Sequence, residues 1–586
     1  MFKRLLNYRQ SLTRYESALA YAVLGIAAGL LSGAVVILFE HAIDRAALFW
    51  GVQGRADDFE ALPLGFRFAL PVAGALVLGV VFSLLREEHR DSGIAHVISR
   101  LYGSYGALPW QNALAQFVGG VIALATGQSG GREGPGVHLG SAVTSLVGQR
   151  LSLPNNSLRI LIACGSAGGI AAAFNTPLAG VIFAMEVIVS EYSVAGFVPV
   201  MLAAVTAAAM SKQFGGGVEI FELGEFTLAS LSELPLILGL GVACGITGAL
   251  FVRITSSTAM LGTWPVVLRF ALAGLLTGTI GLWIPETLGL GYDTLEDALF
   301  GRTVWSALLL VAGAKLLTAA FSLGVGMPVG VIGPSLLIGA CIGSTAGALA
   351  TLVFPSLTID PGMYVTIGMA ATMGTTLGAP LAASLAVIEL TQSTSVAMPA
   401  LLAITAAHLT NLTGFKQLSA HRMILRQRKQ RVPDDPLNQL LHRTDVSSVF
   451  DGSVVVISNR VTPAVGSSLA LQVPHWCLVR RENEDLFLVS GAELMDFIGV
   501  RASNDEPRTS LNNDEVDGID ITESALRRWS IAIAPEQATL SQALDLLRSK
   551  MAEAICIYST ESGKRVVRGV LTREIIERFT LKRIDD

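Results

Sequence analysis

Charge is scarce in this sequence. Asp, Glu, Lys and Arg make up 15% of its 586 residues, where a soluble chain carries about 25%. The deficit falls between residues 18 and 418, where apolar runs follow one another. Residues 194–210 and 306–323 are two such runs, each close to the ~20 residues that cross a bilayer. The first two thirds of the chain therefore reads as a membrane domain with many spans. Cysteine is also sparse. Cys164, Cys244, Cys341, Cys477 and Cys556 stand singly with no CxxC spacing, which points away from a disulfide framework and from a metal site. No nucleic-acid signature occurs. No apolar core of signal-peptide length precedes Tyr15, so no signal peptide is expected.

Charge returns after His421. The stretch "RMILRQRKQR" (422–431) is basic, and charged residues are frequent from there to Asp586. That part reads as a water-exposed domain. The N-terminus carries Lys3, Arg4, Arg9 and Arg14. With both flanks basic, both termini are expected on the cytoplasmic side, and the number of full crossings to be even.

The membrane part repeats itself. "GSAGGIAAAFNTPLAGVIFAMEV" from Gly165 aligns with "GMAATMGTTLGAPLAASLAVIEL" from Gly368 at an offset of 203, matching Pro177 to Pro380 and Glu186 to Glu389. Upstream, "GQSGGREGPGVHLG" from Gly127 aligns with "GMPVGVIGPSLLIG" from Gly326 at an offset of 199. Duplicated halves with Gly/Pro-interrupted helices are a transporter signature, with the substrate site near midplane between the halves.

"GGREGP" and "PVGVIGP" are each a glycine turn with a proline close behind. Proline suits the first turn of a helix, and glycine lets backbone approach closely. Each block reads as a loop opening a helix at membrane depth. A helix N-terminus offers free N–H groups and the positive end of a dipole. Two aimed at one place would bind an anion through partial charges, weakly enough to let it leave. "DSGIAHVISRLYG" (91–103) fits as a third such segment, where Ser92 is either a neutral donor to the anion or an ordinary N-cap.

The strings "GREGP" (131–135), "SGI" (92–94), "GVIGP" (330–334) and "NTPLAG"/"GAPLAA" together resemble the CLC family of chloride channels and chloride/proton antiporters, over about residues 17–425. The resemblance implies a homodimer with one pore per subunit. It also implies an all-α polytopic membrane domain of two inverted repeats of tilted, partly broken helices. The repeat is visible in the sequence; its inversion comes from the resemblance. Carried over by position, Glu133 is the gating glutamate. Ser92 and the amides of Val331 and Ile332 face the central anion, with Gly131, Arg132, Gly134, Gly330 and Gly333 completing the two anion-binding turns.

Three positions depart from the family pattern. Asp91 and Ala95 stand where the usual string is GSGIP, and Asp91 puts negative charge near the inner mouth. Val187 replaces the second of two adjacent glutamates, the inner proton relay of antiporters; Glu186 matches the first and is a poor substitute. The central tyrosine of the last membrane helix is missing, with Leu418 or Ser419 nearest to its place. Lys315, alone in an apolar run and opposite Gln116 by the 199 offset, either adds positive potential to the anion path or pairs locally.

Two similar units follow. Residues 476–498 and 554–579 each read as strand, turn, strand, helix, and 530–550 as a strand and an amphipathic helix before the second unit. Residues 501–520 read as a polar loop. The pair looks like the cytoplasmic α/β tandem CBS domains that many CLC proteins carry. A ribose-binding Ser/Thr with Asp three residues on is absent: Ile575 follows Thr572 and Glu493 follows Ser490. A dimerising or gating role is expected ahead of an adenine-nucleotide site, and no other cofactor is signalled.

The expected organisation is a cytoplasmic N-terminal helix at 1–16 and a membrane domain at 17–425 with halves 17–212 and 230–425. A linker at 426–445 and CBS units at 446–500 and 520–586 follow. The expected function is chloride transport, not enzymatic, across a bacterial cell membrane. Val187 favours a gated passive channel with Glu133 as gate; a chloride/proton antiporter is the alternative, and a membrane sensor regulated by its tail a third reading.

Overall fold

A computed structural model describes residues 18–52, 57–190, 194–214, 228, 230–430, 441, 444–481, 484–504, 519–523, 526–561 and 564–585. The expected helix at 1–16, most of the linker and most of the polar loop at 501–520 lie outside them. The chain divides into two compact units, one of residues 1–153 and 157–432, the other of 433–586 with 154–156.

The first unit is helical. Its first half runs α1 (Ala18–Phe49), α2 (Leu64–Leu84), α3 (Gly93–Gly103), α4 (Trp110–Ala125), α5 (Glu133–Arg150), α6 (Asn155–Phe174), α7 (Pro177–Phe183) and α8 (Val194–Phe214). Its second half runs α9 (Leu234–Ala259), α10 (Val266–Gly281), α11 (Tyr292–Leu299), α12 (Trp305–Gly324), α13 (Ile332–Val353), α14 (Pro361–Leu377), α15 (Pro380–Thr391) and α16 (Ala397–Leu409). α17 (Ala420–Gln427) closes the unit. The two halves match helix for helix. Among the described residues seven helical segments are long and apolar enough to cross a membrane, and Pro177–Val189, Val266–Gly281 and Pro380–Thr391 are shorter apolar ones. Both runs singled out in the sequence, 194–210 and 306–323, fall on such segments. Leu19, Leu84 and Leu310 are exposed on them, as expected of helices that face lipid.

Glycine explains why the repeat is legible. α5 crosses α6, and α13 crosses α14, with backbone against backbone. A Cβ added at Gly140 would stand 2.3 Å from the Gly165 carbonyl oxygen, and one at Gly339 would stand 2.2 Å from that of Gly368. Only glycine allows both approaches. The halves also hold each other. The Glu186 carboxylate accepts from the amides of Leu381 (3.3 Å) and Ala382 (2.9 Å) at the start of α15. Glu389 accepts from Leu178 (2.9 Å) and Ala179 (2.8 Å) at the start of α7. A small apolar cavity is lined by the matching pairs Ile170 and Met373, Phe174 and Leu377, and Phe183 and Ala386. Reciprocal caps and paired lining place a pseudo-two-fold axis between the halves.

The second unit contains two β-α-β-β-α copies. The first has β1 (Val454–Ser458), β2 (Arg460–Val461), α18 (Pro463–Leu471), β3 (Trp476–Arg481), β4 (Glu484–Ser490) and α19 (Gly491–Asn504). After β5 (Ile519–Asp520), which pairs with β2, come β6 (Ile531–Pro535), α20 (Leu540–Ser549), β7 (Ala554–Glu561), β8 (Lys564–Thr572) and α21 (Arg573–Asp585). The sheets run β1-β3-β4 and β6-β7-β8, with the first pair parallel and the second antiparallel in each. Both carry a register shift in the same place, Val479/Arg480 and Ile557/Tyr558. All five cysteines are free and buried.

Candidate functional site

Two glycine turns meet at the centre of the first unit. Gly127 and Gly326 open them at φ +78° and +89°, a left-handed conformation that glycine alone adopts cheaply. Four residues on, Gly131 and Gly330 form an antiparallel bridge: the Gly131 amide donates to the Gly330 carbonyl at 2.9 Å, and the reverse bond is 2.7 Å. Each turn then opens a helix, α5 at Glu133 and α13 at Ile332, with Pro135 and Pro334 in the first turns.

Glu133 is fully buried, and its carboxylate reaches across the two halves. Oε2 accepts from the Gly333 amide at 3.2 Å, in the first turn of α13. Oε1 accepts from the Tyr292 hydroxyl. A tethered anion thus sits on the helix N-terminus of the other half, where amides and dipole favour negative charge. Arg132 does not supply that anchor. Its Nε stands 3.3 Å from Glu40 Oε1, both side chains under 5% exposed, and its guanidinium lies 5.7 Å from the Tyr292 ring centroid.

Tyr292 is delivered by a held loop. The Asp57 carboxylate accepts from the amides of Leu290 (3.0 Å), Gly291 (2.8 Å) and Tyr292 (3.1 Å), capping α11. Lys315 Nζ donates to the carbonyls of Thr287 (3.1 Å) and Gly289 (2.9 Å). Gly289 in turn bonds to Gly127 and Gly130 of the first turn. Lys315 thus bonds to backbone carbonyls of the loop that leads into α11. Tyr292, Asp57 and Glu40 were not singled out from sequence. One signal was available for Tyr292: the 199 offset takes Gly93 to Tyr292, so α11 is the second copy of the Ser92 helix.

On the Ser92 side the partners are neutral. Ser92 precedes α3 but makes no capping bond, so its hydroxyl is not spent as an N-cap. The Gly93 amide donates to Gln116 Oε1 at 2.7 Å, and Gln116 Nε2 donates to the Pro328 carbonyl at 3.0 Å. A narrow cleft brings together Ser92, Gly134, Gly330, His421 and Arg428. Val331 and Ile332 are both buried, and Ile332 lines the apolar cavity. The amide of this stretch that meets Glu133 is that of Gly333. The negative charge of Asp91 is matched by Arg428, with Nη1 at 2.7 Å from Oδ1. Of the two candidates for the missing tyrosine, Ser419 caps α17 by accepting from the Arg422 amide at 3.4 Å, and Leu418 has no polar atom to offer. Val187 is buried in an apolar cluster.

The family described as voltage gated chloride channel matches residues 73–412. A ClcB-like protein of Ralstonia nicotianae is 31% identical over 379 residues, covering 63% of this chain and 88% of its own. The H(+)/Cl(−) exchange transporter ClcA of Vibrio cholerae is 29% identical over 449 residues, covering 74% of this chain and 92% of its own. Among solved structures, a slow cyanobacterial Cl−/H+ antiporter aligns with a TM-score of 0.60 at 25% identity, over 70% of this chain and 97% of that one. A eukaryotic CLC transporter aligns with a TM-score of 0.56 at 21% identity, over 97% of this chain and 98% of that one; at that identity the likeness shows a shared fold.

Proposed function

Because the chain belongs to the voltage gated chloride channel family, we propose that it moves chloride across a membrane in exchange for protons. The observation that carries this is the Glu133 carboxylate seated on the Gly333 amide. A carboxylate can be displaced by chloride, because both compete for the same donors. It can also be released by a proton, which removes the charge that the helix terminus attracts. A charge-assisted hydrogen bond of this kind contributes about 1.5–3 kcal/mol, small enough for repeated release. Arg132, held by Glu40, keeps the turn in place, and Tyr292 holds the seated carboxylate from its other oxygen.

Val187 spoke for a passive channel. Two of the relatives named above speak for exchange, since ClcA and the cyanobacterial protein both carry proton coupling in their names, while the ClcB-like relative is named a chloride channel protein. Exchange is therefore the leading reading and the channel the second. Val187 has no proton to carry, and Glu186 is engaged with amides at the start of α15.

The homodimer, the cytoplasmic placement of both termini and the tandem CBS character of the second unit belong to the same proposal. Two sheets of one topology with a shared register shift support the CBS reading. The Thr572 hydroxyl accepts from the Ile575 amide at 3.3 Å, which favours a structural role there over ribose binding.

Proteoliposomes given a chloride gradient and no proton gradient test the exchange. Uphill proton movement is expected in the wild type. Glu133→Gln should abolish it and keep chloride flux. Chloride flux with no proton movement in the wild type would leave the channel reading standing.

A further inference from the structure

Two buried histidines take no part in seating Glu133. His96 lies at the end of the first turn of α3 (Gly93–Gly103), and His138 lies on α5 (Glu133–Arg150). His138 is five positions after Glu133, about 7.5 Å further along the helix axis. His138 is fully buried and His96 is 4% exposed. Their rings bond directly: His96 Nδ1 stands 2.8 Å from His138 Nε2, with ring centroids 5.1 Å apart. The other ring nitrogen of His138, Nδ1, is buried and has no hydrogen-bond partner among the described residues. Buried polar atoms are nearly always bonded, so this nitrogen calls for an explanation. Ala95, Val97 and Val137, next to the pair in sequence, belong to an apolar cluster. Apolar side chains would fill the two places without leaving a polar atom over.

The position of the pair supplies the explanation. In the proposed exchange Glu133 takes up a proton, and that proton has to leave along the protein. Glu133, His138 and His96 are the only carboxylates and imidazoles on α5 and α3. α3 packs against α5 on one side and against the π-helical turn Ala184–Val189 on another. The Tyr102 hydroxyl donates to the Val189 carbonyl and ties α3 to that turn. The turn offers no carrier of its own, since Val187 has no proton and Glu186 is engaged with amides. The charged groups that act on His96 are Arg100 and Arg428, and His96 is the one that acts on His138. No carboxylate bonds to either ring among the described residues, so a proton that reaches the pair is passed on and not held.

We infer that His138 and His96 form a two-step proton relay that leads away from Glu133. A neutral imidazole carries one N–H and one bare nitrogen. A proton arriving at the open Nδ1 of His138 makes that ring cationic. The ring then gives its Nε2 proton to His96 Nδ1, and His96 releases the proton of its own Nε2. Each ring ends neutral with its proton on the opposite nitrogen, and a return of both tautomers completes the cycle. The relay rests on the proposed exchange.

Proton and chloride fluxes, measured together in liposomes that hold the full-length protein, test the relay. In His96→Asn the amide falls where Nδ1 was, and in His138→Gln it falls where Nε2 was. Both keep a hydrogen bond and neither takes up a proton. In each variant proton movement should fall about a hundredfold, with chloride flux within about twofold of wild type. The double variant should lose no more than either single one, because both steps lie on one route. Unfolding temperatures should match that of wild type. A wild-type proton-to-chloride ratio in both variants overturns the relay and spares the exchange. So does a loss of both fluxes together with a lower unfolding temperature, which is what a pair that only packs would give. If either variant does not fold, His96→Gln and His138→Asn carry the same comparison. A wild type that moves chloride without protons sinks the exchange and the relay together.

Discussion

In the first half the glycine turn carries Arg132 and Glu133; in the second the same places hold Val331 and Ile332. The short helices show the opposite arrangement. α3, in the first half, is approached by neutral Gln116, while α11, in the second, is held by Asp57 and reached through the Lys315-bonded loop. Turn and short helix from opposite halves face each other, so these differences add up instead of cancelling. At one end Glu133, Tyr292, Arg132, Glu40, Asp57 and Lys315 gather. At the other, Ser92, Gln116 and His421 are neutral, and the charges of Asp91 and Arg428 match. What both halves share is backbone: left-handed glycines, a bridge between turns and two helix N-termini. In the proposed exchange, backbone common to both halves attracts the anion and side chains found in only one half decide when it moves.

The largest break in that comparison is at Arg132. Arg132→Leu removes the guanidinium from a carboxylate that is almost fully buried, and such a loss costs roughly 3–5 kcal/mol. Thermal unfolding in detergent should fall accordingly. Val331→Leu, at the matching place in the other half, removes no charge and adds one methylene to a packed site, which should cost about 1–3 kcal/mol. Joining Arg132→Leu with Glu40→Leu should recover much of the loss, since an apolar pair of similar volume often replaces a buried ion pair at little cost. Equal losses from the Arg132 and Val331 variants would mean that the charged end is no more dependent on its side chains than the neutral one.

A smaller effect is expected at Tyr292. Tyr292→Phe keeps the ring under Arg132 and removes the hydroxyl from Glu133. One hydrogen bond to a charged group contributes about 1.5–3 kcal/mol, so the carboxylate should leave the Gly333 amide about tenfold more readily. Chloride then competes better, and the chloride concentration giving half-maximal flux should fall by a similar factor. Unchanged concentration dependence would show that the Gly333 amide holds Glu133 without help.

How much of this was legible follows from which residues the geometry restricts to one choice. The repeat was legible because glycine has no substitute at Gly127 and Gly326, where φ is positive, or at Gly140 and Gly339, where backbones touch. Those positions mark the same sites in both halves and gave the alignment that exposed Glu133. The groups around Glu133 were less legible. Tyr292 comes from a helix of eight residues that only the 199 offset from Gly93 marks, while Asp57 comes from a loop and Glu40 from α1, and a single carboxylate leaves no periodic trace. Leu418 and Ser419 are nearest by position to the missing tyrosine but do not line the cleft; the face that turns inward there carries His421, Ile424 and Arg428, and position alone does not show which face that is. In the second unit the two hairpins with their following helices, and β6 with α20, were legible from alternation and length, whereas β1, β2, α18 and β5 were not.

Glu186 and Glu389 give the smallest effect and the sharpest test of symmetry. Each carboxylate takes two amides at a helix start in the opposite half, and loss of such a cap costs about 0.5–2 kcal/mol. Glu186→Gln and Glu389→Gln should lower the unfolding temperature alike and leave proton and chloride flux in their wild-type ratio. Both carboxylates are engaged in the same way, so neither has a reason to serve as a proton stop. A proton-to-chloride ratio that drops in Glu186→Gln alone would break the symmetry at this pair. Glu186 would then be the relay that Val187 cannot be, and its bond to the Ala382 amide would have to open in each cycle.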